Sequence, residues 1–241
     1  MKAFKLLTLV SMFLLLHTLL KAQRDTIATN ASEEGHLIVL DFEKGPAHNY
    51  PLMAVWLEDM DSNYIETLYV AQSIGTGIFK HGKSEKGKWE PGAILRPAAL
   101  PYWAHQRGVQ SSEGHYLPTP ERPVPDAITG PTPDDNFVLK ARAGEILPTR
   151  FRVLFEINQS WDWNEYWNNS KYPDDREYKT SSQPSLVYEA VLNLNETGRE
   201  INMRMTGHGH YSGKNGELYT DLTTLTTAKE IAEKISVQII R

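Results

Sequence analysis

The segment Asp126-Ala127-Ile128-Thr129-Gly130-Pro131-Thr132-Pro133 sets two hydroxyls beside a glycine and among prolines. Gly130 has no Cβ, so another molecule can approach its backbone closely. The prolines keep the Thr132 hydroxyl out of a helix and away from a sheet ladder. A hydroxyl-modifying enzyme needs an acceptor of this kind, although the same residues also fit a plain turn capped by Asp126 and Thr129. A second constellation, Gly207-His208-Gly209-His210, sets two imidazoles two residues apart. On a strand both point to one face, close enough to share a metal. Zinc generally takes a third protein ligand, and an edge strand carrying polar histidines explains the pair without one. The third constellation is aromatic: Trp161, Trp163, Tyr166, Trp167 and Tyr172 lie among Asn and Asp, with Tyr102, Trp103 and His105 elsewhere in the chain. Such rings either offer platforms to a glycan or partner, or fold a long loop onto its domain.

Other chemistries lack their residues. The chain has no cysteine, which excludes disulfides, iron–sulfur clusters, thiolate zinc sites and a cysteine nucleophile. Ser111-Ser112 with His115 lacks a third group to orient it, and no phosphate loop or dinucleotide fingerprint occurs. No catalytic residue is assigned. The 25 basic and 30 acidic residues give a net charge of −5, with no basic footprint for nucleic acid.

These groups sit behind an N-terminal address. Lys2 and Lys5 precede an apolar run from Leu6 to Leu20, followed by Lys21-Ala22-Gln23. The pattern is that of a secretory signal peptide covering residues 1–22, cleaved after Ala22. Its removal leaves 22 basic and 30 acidic residues and a net charge of −8. The expected product is periplasmic or secreted.

The elements that must position the groups read as strands. Residues 23–35 are polar and read as a flexible tail. Leu37–Phe42, Met53–Asp59, Tyr64–Val70, Phe151–Ile157, Leu186–Leu194 and Ile201–Met205 are short, β-branched or aromatic, and mostly alternating. The second and third form a hairpin around Met60–Asn63. Thr227-Ala228-Lys229-Glu230 is a capping-box pattern, which predicts one short C-terminal helix followed by a final strand. Residues 80–136 hold most of the prolines and residues 158–185 are rich in Trp, Tyr, Asn and Asp, so both read as long insertions. The expected fold is all-β, a single antiparallel sandwich spanning residues 36–241.

The first segment also resembles a known pattern. Extracytosolic proteins that carry covalent FMN present Asp-Xaa-Xaa-Ser/Thr-Gly-Ala-Ser/Thr. Asp126, Thr129, Gly130 and Thr132 match it, and Pro131 stands where the pattern usually has Ala. Leu52–Asp59 with Ile65–Leu68, and the Asp126 motif with Phe137–Leu139 and Phe151–Val153, resemble a bacterial envelope family, the domain of unknown function 2271. That resemblance implies an Ig-like sandwich and an exported accessory protein. Its redox form would carry FMN on Thr132, attached by an FMN transferase and serving a membrane redox protein. The alternative is a non-catalytic binding module whose aromatic loops and His208/His210 contact a ligand, glycan or partner protein.

Overall fold

The computed structural model describes residues 24–240; the signal-peptide reading of residues 1–22 lies outside them. The chain runs β1 (Asp25–Thr29), β2 (Leu37–Lys44), β3 (Leu52–Glu58), β4 (Tyr64–Ala71), α1 (Gln72–Thr76), β5 (Ile78–Glu85), β6 (Lys88–Ala93), α2 (Pro101–Gln106), β7 (Thr129–Gly130), β8 (Phe137–Arg142), β9 (Arg150–Asn158), α3 (Arg176–Ser181), β10 (Leu186–Asn193), β11 (Ile201–Asn202), β12 (Arg204–His208) and β13 (Ala232–Ile240). A five-stranded sheet, β1-β8-β2-β13-β11, faces a six-stranded sheet, β12-β10-β9-β3-β4-β7, and β5-β6 form a separate hairpin. Pairing is antiparallel except for β1–β8 and β4–β7. The fold is an all-β sandwich with long insertions.

Strand alternation explains the core. Ile38, Leu40 and Phe42 of β2 face Val153, Phe155 and Ile157 of β9 across the sandwich, because every second side chain of a strand points to the same face. Phe42 stacks on Phe137 at 4.9 Å between ring centroids. β3 is buried along its whole length. Met53, Val55 and Leu57 enter the core between the sheets. Leu52, Ala54 and Trp56 enter a second core on the opposite face.

That second core is closed by the proline-rich insertion. Leu100, Trp103, Leu117 and Val124 pack against Trp56, Val70, Leu154 and Val187. Each large apolar side chain so buried contributes about 2–3 kcal/mol. The insertion is therefore a third layer. The β3–β4 hairpin forms as the sequence predicts, its turn fixed by the Asp59 carboxylate, which accepts the N–H groups of Asp61 and Asn63 at 2.8 and 2.9 Å.

Three local expectations change. Within the supposed flexible tail, Asp25–Thr29 form β1 alongside β8; Ile27 packs on the core and Thr29 is buried, so the edge of β8 is covered. Ile201–Met205 is two short strands in different sheets. Asn202 pairs with Ser236 of β13 and Arg204 with Glu189 of β10, and the buried Met203 sits at the crossing. The short C-terminal helix is a single 3-10 turn, Thr227–Glu230, without a side-chain cap. The Thr227 hydroxyl is instead donated to Asp162.

Candidate functional site at the loop end of the sandwich

Three segments meet beside the third layer: residues 95–117, the loop carrying α3, and residues 212–214. They enclose a cavity of about 270 Å³. Its apolar wall is Leu95, Pro97, Ala104 and Leu117, and its polar groups include His115, Asp175, Glu177 and Lys214. Tyr116 lines it too and stacks on His105 at 4.1 Å. A groove of about 630 Å³ adjoins it, with Asp175 and Lys214 common to both. Tyr172 and Tyr211 line the groove, stacked at 4.1 Å with their rings 3° from parallel.

The position of α2 depends on a residue the sequence did not single out. Glu156 of β9 is fully buried. Its carboxylate accepts the N–H groups of Tyr102 at 3.2 Å and Trp103 at 2.7 Å, and the hydroxyl of Ser185. It thus caps α2, whose own preceding residue, Leu100, has no side chain that can. The same knot explains Gly209, where a Cβ would lie 2.5 Å from Pro101 Cγ and 2.6 Å from Ser185 Oγ.

Both histidine rings meet Tyr219, and each has its own hydrogen bond. β12 ends at His208, which is buried, stacks on Tyr219 at 5.4 Å, and has Nδ1 2.7 Å from the Gly209 carbonyl. His210 lies beyond the strand, accepts the Ser212 N–H on Nδ1 at 3.1 Å and stacks on Tyr211. Burial lowers the pKa of both, so both are neutral at pH 7. Among the described residues no group of three His, Cys, Asp or Glu is placed to hold a metal ion.

Residues 126–132 lie elsewhere, on the edge of the six-stranded sheet. Thr129-Gly130 pair with Val70-Ala71. The Thr129 hydroxyl is donated to the Asp126 carbonyl at 3.1 Å, and the Tyr69 hydroxyl to the Pro131 carbonyl at 2.7 Å. A Cβ on Gly130 would stand 2.8 Å from the Tyr69 ring, so packing alone requires that glycine. Thr132 is half-exposed and Asp126 exposed. Neither the cavity nor the groove is lined by this segment.

No protein-family model, curated protein or solved structure matches the chain.

The chemistry of the cavity follows from its charges. Burial pushes the Asp175 carboxyl up, but the Tyr178 N–H and Lys214 outweigh it, and the net shift is downward. Asp175 is thereby committed to capping α3, accepting Tyr178 N–H at 3.0 Å, and to Lys214 at 3.4 Å. Burial pushes Glu177 upward, reinforced by Asp175 and opposed by His115 and Arg96. Its Oε2 is buried without a hydrogen-bond partner.

Of the aromatic constellation, Trp167 is buried, and Trp163 and Tyr172 are half-buried against the main core. Trp161 and Tyr166 are 64% and 50% exposed. Trp161 holds a positive φ of 58°, unusual for a bulky residue, and the Arg96 guanidinium lies 5.8 Å from its ring centroid. Tyr102 and Trp103 belong to the second core.

Proposed function

We propose that this chain is a non-catalytic binding module that takes a saccharide chain in the loop-end cavity and its adjoining groove. The observation that carries the reading is the cavity lined by Tyr116, Glu177 and apolar side chains, which adjoins the Tyr172–Tyr211 groove. Sugars present apolar C–H faces to aromatic rings and hydroxyl donors to carboxylates, which is the complement of this lining. Asp175 is occupied by its cap and by Lys214, so the two carboxylates are not free to divide acid and base roles. An envelope location rests on residues 1–22.

Isothermal titration against a panel of neutral and acidic oligosaccharides tests the reading. Binding weakened at least tenfold by Glu177→Gln and by Tyr116→Ala supports it. An absence of binding across the panel, or hydrolysis of a bound sugar, overturns it.

A second reading is favoured by the partial exposure of Thr132 where the chain leaves β7. There the chain is a redox carrier with FMN esterified to Thr132, and Asp126 helps dock the segment in the transferase. Co-expression with an extracytosolic FMN transferase would add FMN to a peptide spanning residues 126–133. Thr132→Val would abolish the addition, and Pro131→Ala would raise it by freeing the preceding residue from its extended restriction. If wild type and Pro131→Ala both stay unmodified beside a working control substrate, the carrier reading is lost.

A further inference from the structure

Asp162, Gln183 and Thr227 are far apart in sequence and meet in one hydrogen-bonded knot. The Thr227 hydroxyl is donated to Asp162 Oδ1. Gln183 Nε2 lies 2.6 Å from Thr227 Oγ1. Gln183 Oε1 accepts the Thr226 N–H at 2.7 Å, which fixes which end of the amide is oxygen. The Gln183 main-chain N–H is donated to the Asp162 carbonyl at 3.1 Å, holding amide and carboxylate side by side. Gln183 is 1% and Asp162 9% exposed, and Asp162 Oδ2 is buried without a partner.

We propose that Thr227 and Gln183 join in an intramolecular ester, formed by the chain itself with Asp162 as the base. The parts are a hydroxyl, a base already bonded to it, a carboxamide within reach, and a main-chain donor on the amide oxygen. An amide C–N bond is about 1.3 Å, so Thr227 Oγ1 lies within about 4 Å of Gln183 Cδ. A turn of the amide brings it to the 3–3.5 Å range of a near-attack geometry. Asp162 takes the hydroxyl proton as Oγ1 bonds to Cδ. The negative charge moves to Oε1, held by the Thr226 N–H. Asp162 then returns the proton to Nε2, the C–N bond breaks, and ammonia leaves. Nothing is oxidised or reduced, and no co-reactant is needed. Burial makes the poorly solvated carboxylate a stronger base, and shields the product from water.

Placement gives the bond a purpose. Gln183 precedes β10 of the six-stranded sheet and Thr227 precedes β13 of the five-stranded sheet. An ester between them ties the two sheets in a chain without cysteine.

Intact mass and peptide mapping of the full chain test this, on fresh and on aged protein. The expected result is a deficit of one ammonia, carried by a cross-linked peptide pair that joins Gln183 to Thr227 and that hydroxylamine separates. Thr227→Val and Asp162→Asn should each restore the full mass. The wild-type measurement stands whether or not a variant folds. Cooperatively folded wild type with both peptides free overturns the proposal. So does an ammonia loss confined to Gln23, which cyclises if cleavage makes it N-terminal. A cross-linked pair that persists in Asp162→Asn overturns the assignment of the base.

Discussion

Glu156 should make the protein less stable as pH rises through the neutral range. Burial pushes its pKa from 4.5 up to about 7, against the opposing bonds from Ser185, Trp103 and Tyr102. A carboxyl whose folded pKa is raised stays protonated in the folded state when the unfolded chain has already ionised. Its contribution is full below pH 4.5, declines between pH 4.5 and 7, and is gone above that. At about 1.4 kcal/mol per unit, the shift is worth about 3 kcal/mol. Glu156→Gln keeps the shape and mimics the neutral acid: the amide oxygen can accept the Trp103 N–H, and the NH₂ can be donated to Ser185 Oγ. Only the long Tyr102 bond, 3.2 Å, is lost, at a cost of about 1 kcal/mol. Urea unfolding of both proteins from pH 4.5 to 8 isolates the residue, because the other titrating groups are common to both. The wild type should be the more stable at pH 4.5 and the variant at pH 8. Parallel stability curves would refute the reasoning.

Other substitutions probe the supports of the cavity and sheet. Gly209→Ala should destabilise by about 1–3 kcal/mol through overpacking against Pro101 and Ser185, with the loss read from chemical denaturation. Arg152 bridges the buried Glu58 and Glu189 at 3.1 Å each. Arg152→Met should cost about 3–5 kcal/mol at pH 7 and progressively less as the pH falls, because burial already raises the pKa of Glu58. Trp103→Ala should cost about 3–5 kcal/mol and expose residues 94–124 to proteolysis while the inter-sheet core persists.

The strands were legible because their runs are short, rich in β-branched and aromatic residues, and bounded by turn residues. Leu37–Phe42 and Phe151–Ile157 fell within a residue or two of β2 and β9. The third layer was hidden by its prolines, although the unbroken apolar run of β3 was a signal of burial on both faces. Ile201–Met205 alternates as one strand would, and only the pairing of its two halves with different sheets separates them. Gly207-His208-Gly209-His210 read either as a metal-sharing pair or as an edge strand with polar histidines, whereas close packing by Leu218, Pro101 and Ser185 requires its glycines. Glu156 read as an ordinary strand acid, and its role depends on α2 arriving from more than fifty residues away. Asp162, Gln183 and Thr227 have no spacing that a motif could express. The cavity likewise draws on three separated segments, and although His105 and His115 of the first drew notice in the sequence, nothing there joins them to Glu177 or Lys214.

The most direct test of the account is to map where an oligosaccharide lands, by chemical-shift perturbation on isotope-labelled protein titrated with the best-binding sugar of the panel. Perturbations centred on Tyr116, Glu177 and Lys214, spreading to Tyr172 and Tyr211 and absent in Glu177→Gln, are the predicted result. Perturbations confined to the β5–β6 hairpin or to residues 126–132, with the cavity silent, would contradict it.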